Sequence, residues 1–147
     1  MIYIGCDHGG FALKQEILKY IKEDLAEEAE DLGCYDTSSV DYPDYAKKVG
    51  TMVSKKECDL GILICYTGIG MSIACNKIKG IRASLVGSVE NARLTREHNN
   101  ANVLCMSSKD TTVQEAKQIV NTFLTTEFTF GRHERRVNKI LEIENEQ

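Results

Sequence analysis

The stretch “LGILICYTGIGMSIACNK”, residues 60–77, decides the fold. An apolar run climbs to Cys65, a turn with two glycines follows, and a second apolar segment resumes. An uninterrupted apolar run of this length is predicted to be a strand buried on both faces, here Asp59–Cys65. The segment Ile69–Ile78 is predicted to be a helix. Strand, glycine-rich turn and helix make one unit of an α/β fold, and the rest of the chain repeats it.

Upstream, Ile2–Cys6 reads as a short strand. Phe11–Glu23 follows as a helix, with Leu13, Ile17, Leu18 and Ile21 at helical spacing. Glu27–Leu32 is a weaker strand, assigned from its place in the alternation. Cys34–Tyr42 is a polar loop, and the only proline, Pro43, suits the first turn of a helix reaching about Lys55. Downstream come a strand at Ile81–Gly87, a helix at Val89–His98, a strand at Asn102–Met106 and a helix at Thr112–Leu124. After “FTFGRHERR” a last helix is expected near Arg132–Glu146. Alternation of this kind predicts five parallel strands covered by helices on both faces.

With 147 residues, 42% of them hydrophobic, the chain forms one domain with a sizeable core. The net charge of −4 comes from intermixed acids and bases, which argues against a nucleic-acid surface. The start, “MIYIGCDHGG”, lacks the basic and apolar regions of a secretory leader, and no apolar run is long enough for a membrane helix. The six cysteines form no C-x-x-C pair and no zinc-type spacing, so free thiols in a cytoplasmic protein without metal are expected.

In a parallel sheet of this kind ligands bind beyond the carboxyl ends of the strands. Cys6-Asp7-His8, Cys65-Tyr66-Thr67-Gly68 and Ser107-Ser108-Lys109 all fall there. The turn Tyr66–Gly70 offers successive backbone N–H groups to an anion. A dinucleotide loop needs a third glycine where Ile73 stands, and a P-loop needs a following Gly-Lys-Ser/Thr. A cysteine phosphatase needs an arginine where Met71 stands. What remains is an anion-friendly loop carrying a thiol, close to a helix start that favours thiolate. The plainer alternative, a small core cysteine ending a strand, stays open at this point. Asp7 and His8 offer acid–base groups, or a helix cap and a polar neighbour. His98 and Asn99 offer a further pair, or ordinary helix-end chemistry. Arg132 and Arg136 share a helix face, either as a phosphate clamp or as a solvated basic face.

Taken together, “GCDHGGFALK”, “DYPDYA”, “GILICYTGIGMSIACNKI”, “HNNANVL” and “GRHERRV” resemble the sugar-phosphate isomerases of the ribose-5-phosphate isomerase B type, from Ile2 to about Ile143. The resemblance implies a Rossmann-like three-layer sandwich and aldose–ketose isomerisation without cofactor. It also implies a homodimer or dimer of dimers with shared sites, residues 131–147 packing at the subunit interface. In that family's pattern Cys65 is the base, and Thr67 and the amides of Tyr66, Gly68, Ile69 and Gly70 surround the enediolate. His98, from the neighbouring subunit, opens the sugar ring. Asp7, His8, Tyr42 and Asn99 contact the substrate, and Lys109, Arg132 and Arg136 hold the phosphate. Two positions depart from it: Tyr66 replaces a glycine, and Lys109 replaces an arginine. These leave the sugar's size open, with allose 6-phosphate, galactose 6-phosphate or a tetrose phosphate as alternatives. A sugar-phosphate-binding protein without turnover is the non-enzymatic alternative.

Overall fold

A computed structural model describes all residues, 1–147. The strands are β1 (Ile2–Cys6), β2 (Ala29–Asp31), β3 (Leu60–Cys65), β4 (Ala83–Leu85) and β5 (Val103–Ser107). The helices are α1 (Phe11–Glu23), α2 (Tyr42–Val53), α3 (Ile69–Cys75), α4 (Val89–Asn99), α5 (Val113–Thr125) and α6 (Arg132–Asn145). A single 3-10 turn, His8–Gly10, joins β1 to α1.

All strand pairs are parallel, in the order β2-β1-β3-β5-β4. The central strand β3 divides the core by simple alternation. Ile62 and Ile64 pack with α1 and α5, whereas Leu63 and Cys65 pack with Val49 of α2 and Met71 and Cys75 of α3. The chain runs from β1 to β2 on one side and then to β3 on the other. That reversal opens a crevice at the carboxyl ends of β1 and β3, where such sheets take ligands.

Three elements are shorter than their sequence patterns predict. β4 pairs only over Ala83–Leu85, because it is an edge strand whose single neighbour, β5, sets its length. Its first residue is bracketed by the Asn76 side chain, which exchanges two hydrogen bonds with the Ala83 backbone. α3 stops at Cys75 rather than Ile78: the Lys77 and Ile78 amides bond three residues back, and Gly80, at φ +90°, turns the chain away. The β2 pairing covers only the middle of Glu27–Leu32.

One core residue runs against its type. Lys14 of α1 has a fully buried side chain. Its ammonium donates to the Asp31 carboxylate and the Cys34 carbonyl, and lies over the faces of Phe11 and Tyr35. A buried lysine persists only when so paired. It ties α1 to the segment after β2, which runs beside the end of β1: the Cys6 N–H donates to the Gly33 carbonyl, and the Cys34 N–H donates to the Cys6 carbonyl.

Candidate active site

The loop after β3 is built around its sulfur. Cys65 is 5% exposed, and its Sγ accepts the Gly68 N–H at 3.1 Å. Gly68 lies at φ +78°, and a Cβ there would come within 2.6 Å of Leu85 and 2.9 Å of the Met106 backbone. Only glycine makes this turn. The Ile69 N–H is taken by Thr67 Oγ1 at 3.3 Å. The N–H groups of Thr67, Gly70 and Met71 have no acceptor within the chain. Free amides at the first turn of a helix, beside a thiol, form a site for a developing negative charge. Met71 is a donor that motif reading missed. Helix geometry signals it, since the first turn always leaves amides free.

Neighbouring strand ends close around this loop. The register sets Cys6 beside Ile64 and Cys65 beside Ser107. Asp7 follows at once, its N–H donating to the Ile64 carbonyl and its carboxylate accepting from Gly10 at 3.1 Å. Asp7 thus caps the 3-10 turn while standing at the rim. His8 Nδ1 accepts the Val40 N–H at 3.2 Å, which holds the polar loop over the β1 end. The Tyr42 ring packs on Gly70, where any Cβ would meet the ring at 2.6 Å.

Tyr66 points to the other side of the sheet from Cys65, with its Cβ close to Gly9 and 60% of its surface exposed. Its carbonyl accepts from Ser107 Oγ at 2.8 Å and from the Lys109 N–H at 2.9 Å. Ser108 Oγ donates to the Gly9 carbonyl at 2.8 Å. The Lys109 ammonium lies 3.2 Å from Asp110 at the surface.

The remaining sequence-predicted residues gather elsewhere. α4 starts after β4, at the carboxyl rim, and ends before β5 begins. Val103 pairs with Gly61, and Cys65 lies four residues further along β3, about 13 Å. His98 and Asn99, in the last turn of α4, therefore stand at the opposite rim. Arg132 and Arg136 start α6 in the same place, because His133 between them stacks on His98. Asn99 also borders a cavity of about 820 Å³ between α3, β4, α4 and α6, which does not include the Cys65 loop. One chain thus carries a thiol with free amides at one rim, and imidazoles and guanidinium groups at the other.

The sequence profile of the Ribose/Galactose Isomerase family matches residues 2–140. Ribose-5-phosphate isomerase B of Escherichia coli is 44% identical over 143 residues, covering 97% of this chain and 95% of that protein. The solved structure of Clostridium thermocellum ribose-5-phosphate isomerase B matches with a TM-score of 0.95 and 48% identity, over 99% of this chain and 97% of that one. Ribose-5-phosphate isomerase B from Mycoplasma genitalium, solved with bound ribulose 5-phosphate, matches with a TM-score of 0.95, 46% identity and the same coverages.

Proposed function

The chain belongs to the ribose/galactose isomerase family and is a sugar-phosphate isomerase; from that premise we propose that it interconverts ribose 5-phosphate and ribulose 5-phosphate, with Cys65 as the base. The observation that carries this reading is the Cys65 thiol set beside the unpaired amides of Thr67, Gly70 and Met71.

The reaction moves hydrogen within one molecule. Once the furanose is open, the Cys65 thiolate takes the C2 proton, and the electrons of that C–H bond form the C1–C2 double bond. The aldehyde oxygen gains the negative charge, and the amides hold it as an enediolate. The hydroxyl proton on O2 passes to O1, and Cys65 returns its proton to C1. C1 is reduced to an alcohol and C2 oxidised to a ketone, with no outside electron acceptor. Fixed amides lower the barrier because they need no reorganisation as charge develops.

Ring opening needs a separate acid–base group, and the phosphate needs cations. His98, with Arg132 and Arg136, has that chemistry at the far rim. In this proposal a second copy of the chain brings them over Cys65, so the working unit is a homodimer with shared sites. Ile69 and Ile73 of α3, Leu85 of the edge strand β4 and Val89 of α4 are exposed apolar residues that a second copy would cover. Asp7, His8, Tyr42 and Asn99 line the sugar, and Lys109 adds charge beside Tyr66. The exposed Tyr66, with its Cβ beside Gly9, gives the mouth a wall on the α1 side and favours the shorter sugar.

A coupled assay over aldose phosphates of four to six carbons, run alongside deuterium incorporation in D₂O, tests the reading. We expect ribose 5-phosphate to be converted, with deuterium entering the C1 position of the ketose. Ribose 5-phosphate that binds without exchanging a proton would identify a sugar-phosphate-binding protein instead.

A further inference from the structure

The His98 and His133 imidazoles lie face to face, with ring centroids 4.1 Å apart and planes 10° from parallel. The His98 imidazole makes no hydrogen bond within the chain, so this stack is what fixes its ring plane. An imidazole that moves protons ordinarily has one nitrogen held by a carboxylate or carbonyl, which sets both plane and tautomer. Here a second ring replaces that bond and leaves both His98 nitrogens free to face a ligand.

The chain around the stack is built to hold it. Thr129 donates to the Glu97 carbonyl twice, through its N–H at 3.2 Å and its Oγ1 at 2.8 Å. Arg96 Nε donates to the Thr126 carbonyl at 3.1 Å. These bonds sew the connection between α5 and α6 onto the last turn of α4. Phe130 and Gly131 then take φ +58° and +59°, which reverses the chain and starts α6 with His133 against His98. A phenylalanine in the left-handed region is held there by its surroundings rather than by preference.

Charge also separates the two rings. His133 faces His98 and Glu97 from α4 and Arg132 and Arg136 from its own helix, and Glu97 is engaged by Arg93. Loss of solvent, the neighbouring imidazole and the two guanidinium groups hold His133 below the usual histidine range.

We propose that His133 is a positioning residue: its ring holds the His98 imidazole in the plane from which His98 exchanges a proton with the sugar ring. This rests on the reading of His98 as the ring-opening group. His133 itself touches neither the reacting carbons nor the base.

The test is a double-mutant cycle on ribose 5-phosphate, using His133→Ala, His133→Phe and His98→Asn. His133→Ala is expected to lower kcat roughly ten- to a hundredfold, as loss of alignment does, with KM within about twofold. His133→Phe keeps a flat ring and is expected to recover most of that loss. In the His98→Asn background, His133→Ala is expected to cost nothing more, because its effect runs through His98. A raised KM with unchanged kcat would overturn the proposal and make His133 a phosphate ligand. A Phe variant as poor as Ala, or full additivity with His98→Asn, would overturn it as well. An active His98→Asn enzyme would instead remove the ring-opening role of His98, so the two failures are told apart.

Discussion

The Gly68 amide donates to the Cys65 sulfur across a three-residue turn, at 3.1 Å. This bond takes up the Gly68 N–H and leaves the Thr67, Gly70 and Met71 amides of the turn free. It also fixes the sulfur's direction relative to the free amides of Gly70 and Met71. The thiol and the free amides therefore belong to one turn.

The first prediction follows from that coupling. Cys65→Ala removes the proposed base while leaving the backbone, and so the amides, in place. Turnover should fall by roughly three or more orders of magnitude, the upper part of the range for a positioned base. Substrate affinity should change little. A coupled assay, isothermal titration with ribose 5-phosphate and a thermal melt check this together; turnover within tenfold of wild type would remove Cys65 from the reaction.

The second prediction concerns Lys14. Its ammonium is the only link from α1 to both Asp31 and the Cys34 carbonyl. Lys14→Met fills the space but leaves that carbonyl without its donor. Asp31 is partly exposed and can hydrate, so the loss should be about 2–3 kcal/mol rather than the larger figure for a fully buried orphan charge. Urea unfolding measures it, and a change under about 0.5 kcal/mol would show the pairing to be neutral.

The third prediction is a stability decline in alkali. Burial pushes the Cys6 and Cys75 thiols up to about 12, and raises Cys105 well above its ordinary value. The unfolded chain loses these protons near 9, so the folded state binds more protons between about 9 and 12. Their contribution is complete below about pH 9 and is lost as pH rises toward 12. Each thiol adds a slope of about 1.4 kcal/mol per pH unit in that window. Cys75→Ala should flatten the curve by that amount; an unchanged slope in denaturant titrations at pH 9.5–11 would show that Cys75 ionises freely.

Much of this was legible in the residues. The apolar run ending at Cys65 marks β3 because a strand buried on both faces shows no alternation, and Gly68 and Gly70 mark the turn because no side chain fits there. The extents of β4 and α3 were not legible, since edge pairing and the Gly80 turn depend on β5 and on tertiary contacts. Lys14 falls on the apolar stripe of α1, three, four and seven positions before Ile17, Leu18 and Ile21, but its residue type argued for the surface; only the fold brings Asp31 and Cys34 to it. His133 stands in plain view between two arginines, but its partner is 35 positions away, and only the packing of α6 on α4 joins them.

The last prediction tests the division of the site between two rims. In one chain, α4 carries His98 away from the rim that β3 gives to Cys65. If two copies share their sites, Cys65 of one copy works with His98 of the other. Cys65→Ala and His98→Asn proteins should each be nearly inactive on ribose 5-phosphate. Mixed in equal amounts and allowed to exchange subunits, half of the dimers become hybrids, and each hybrid has one intact site and one doubly damaged site. Activity should then return to about a quarter of wild type, a figure set by the symmetry of the pair alone. A tag on one variant and pull-down of the other confirms exchange independently. Hybrids that form and stay inactive would place Cys65 and His98 in the same subunit's site, or remove His98 from the reaction. Activity of the His98→Asn protein alone decides between those two.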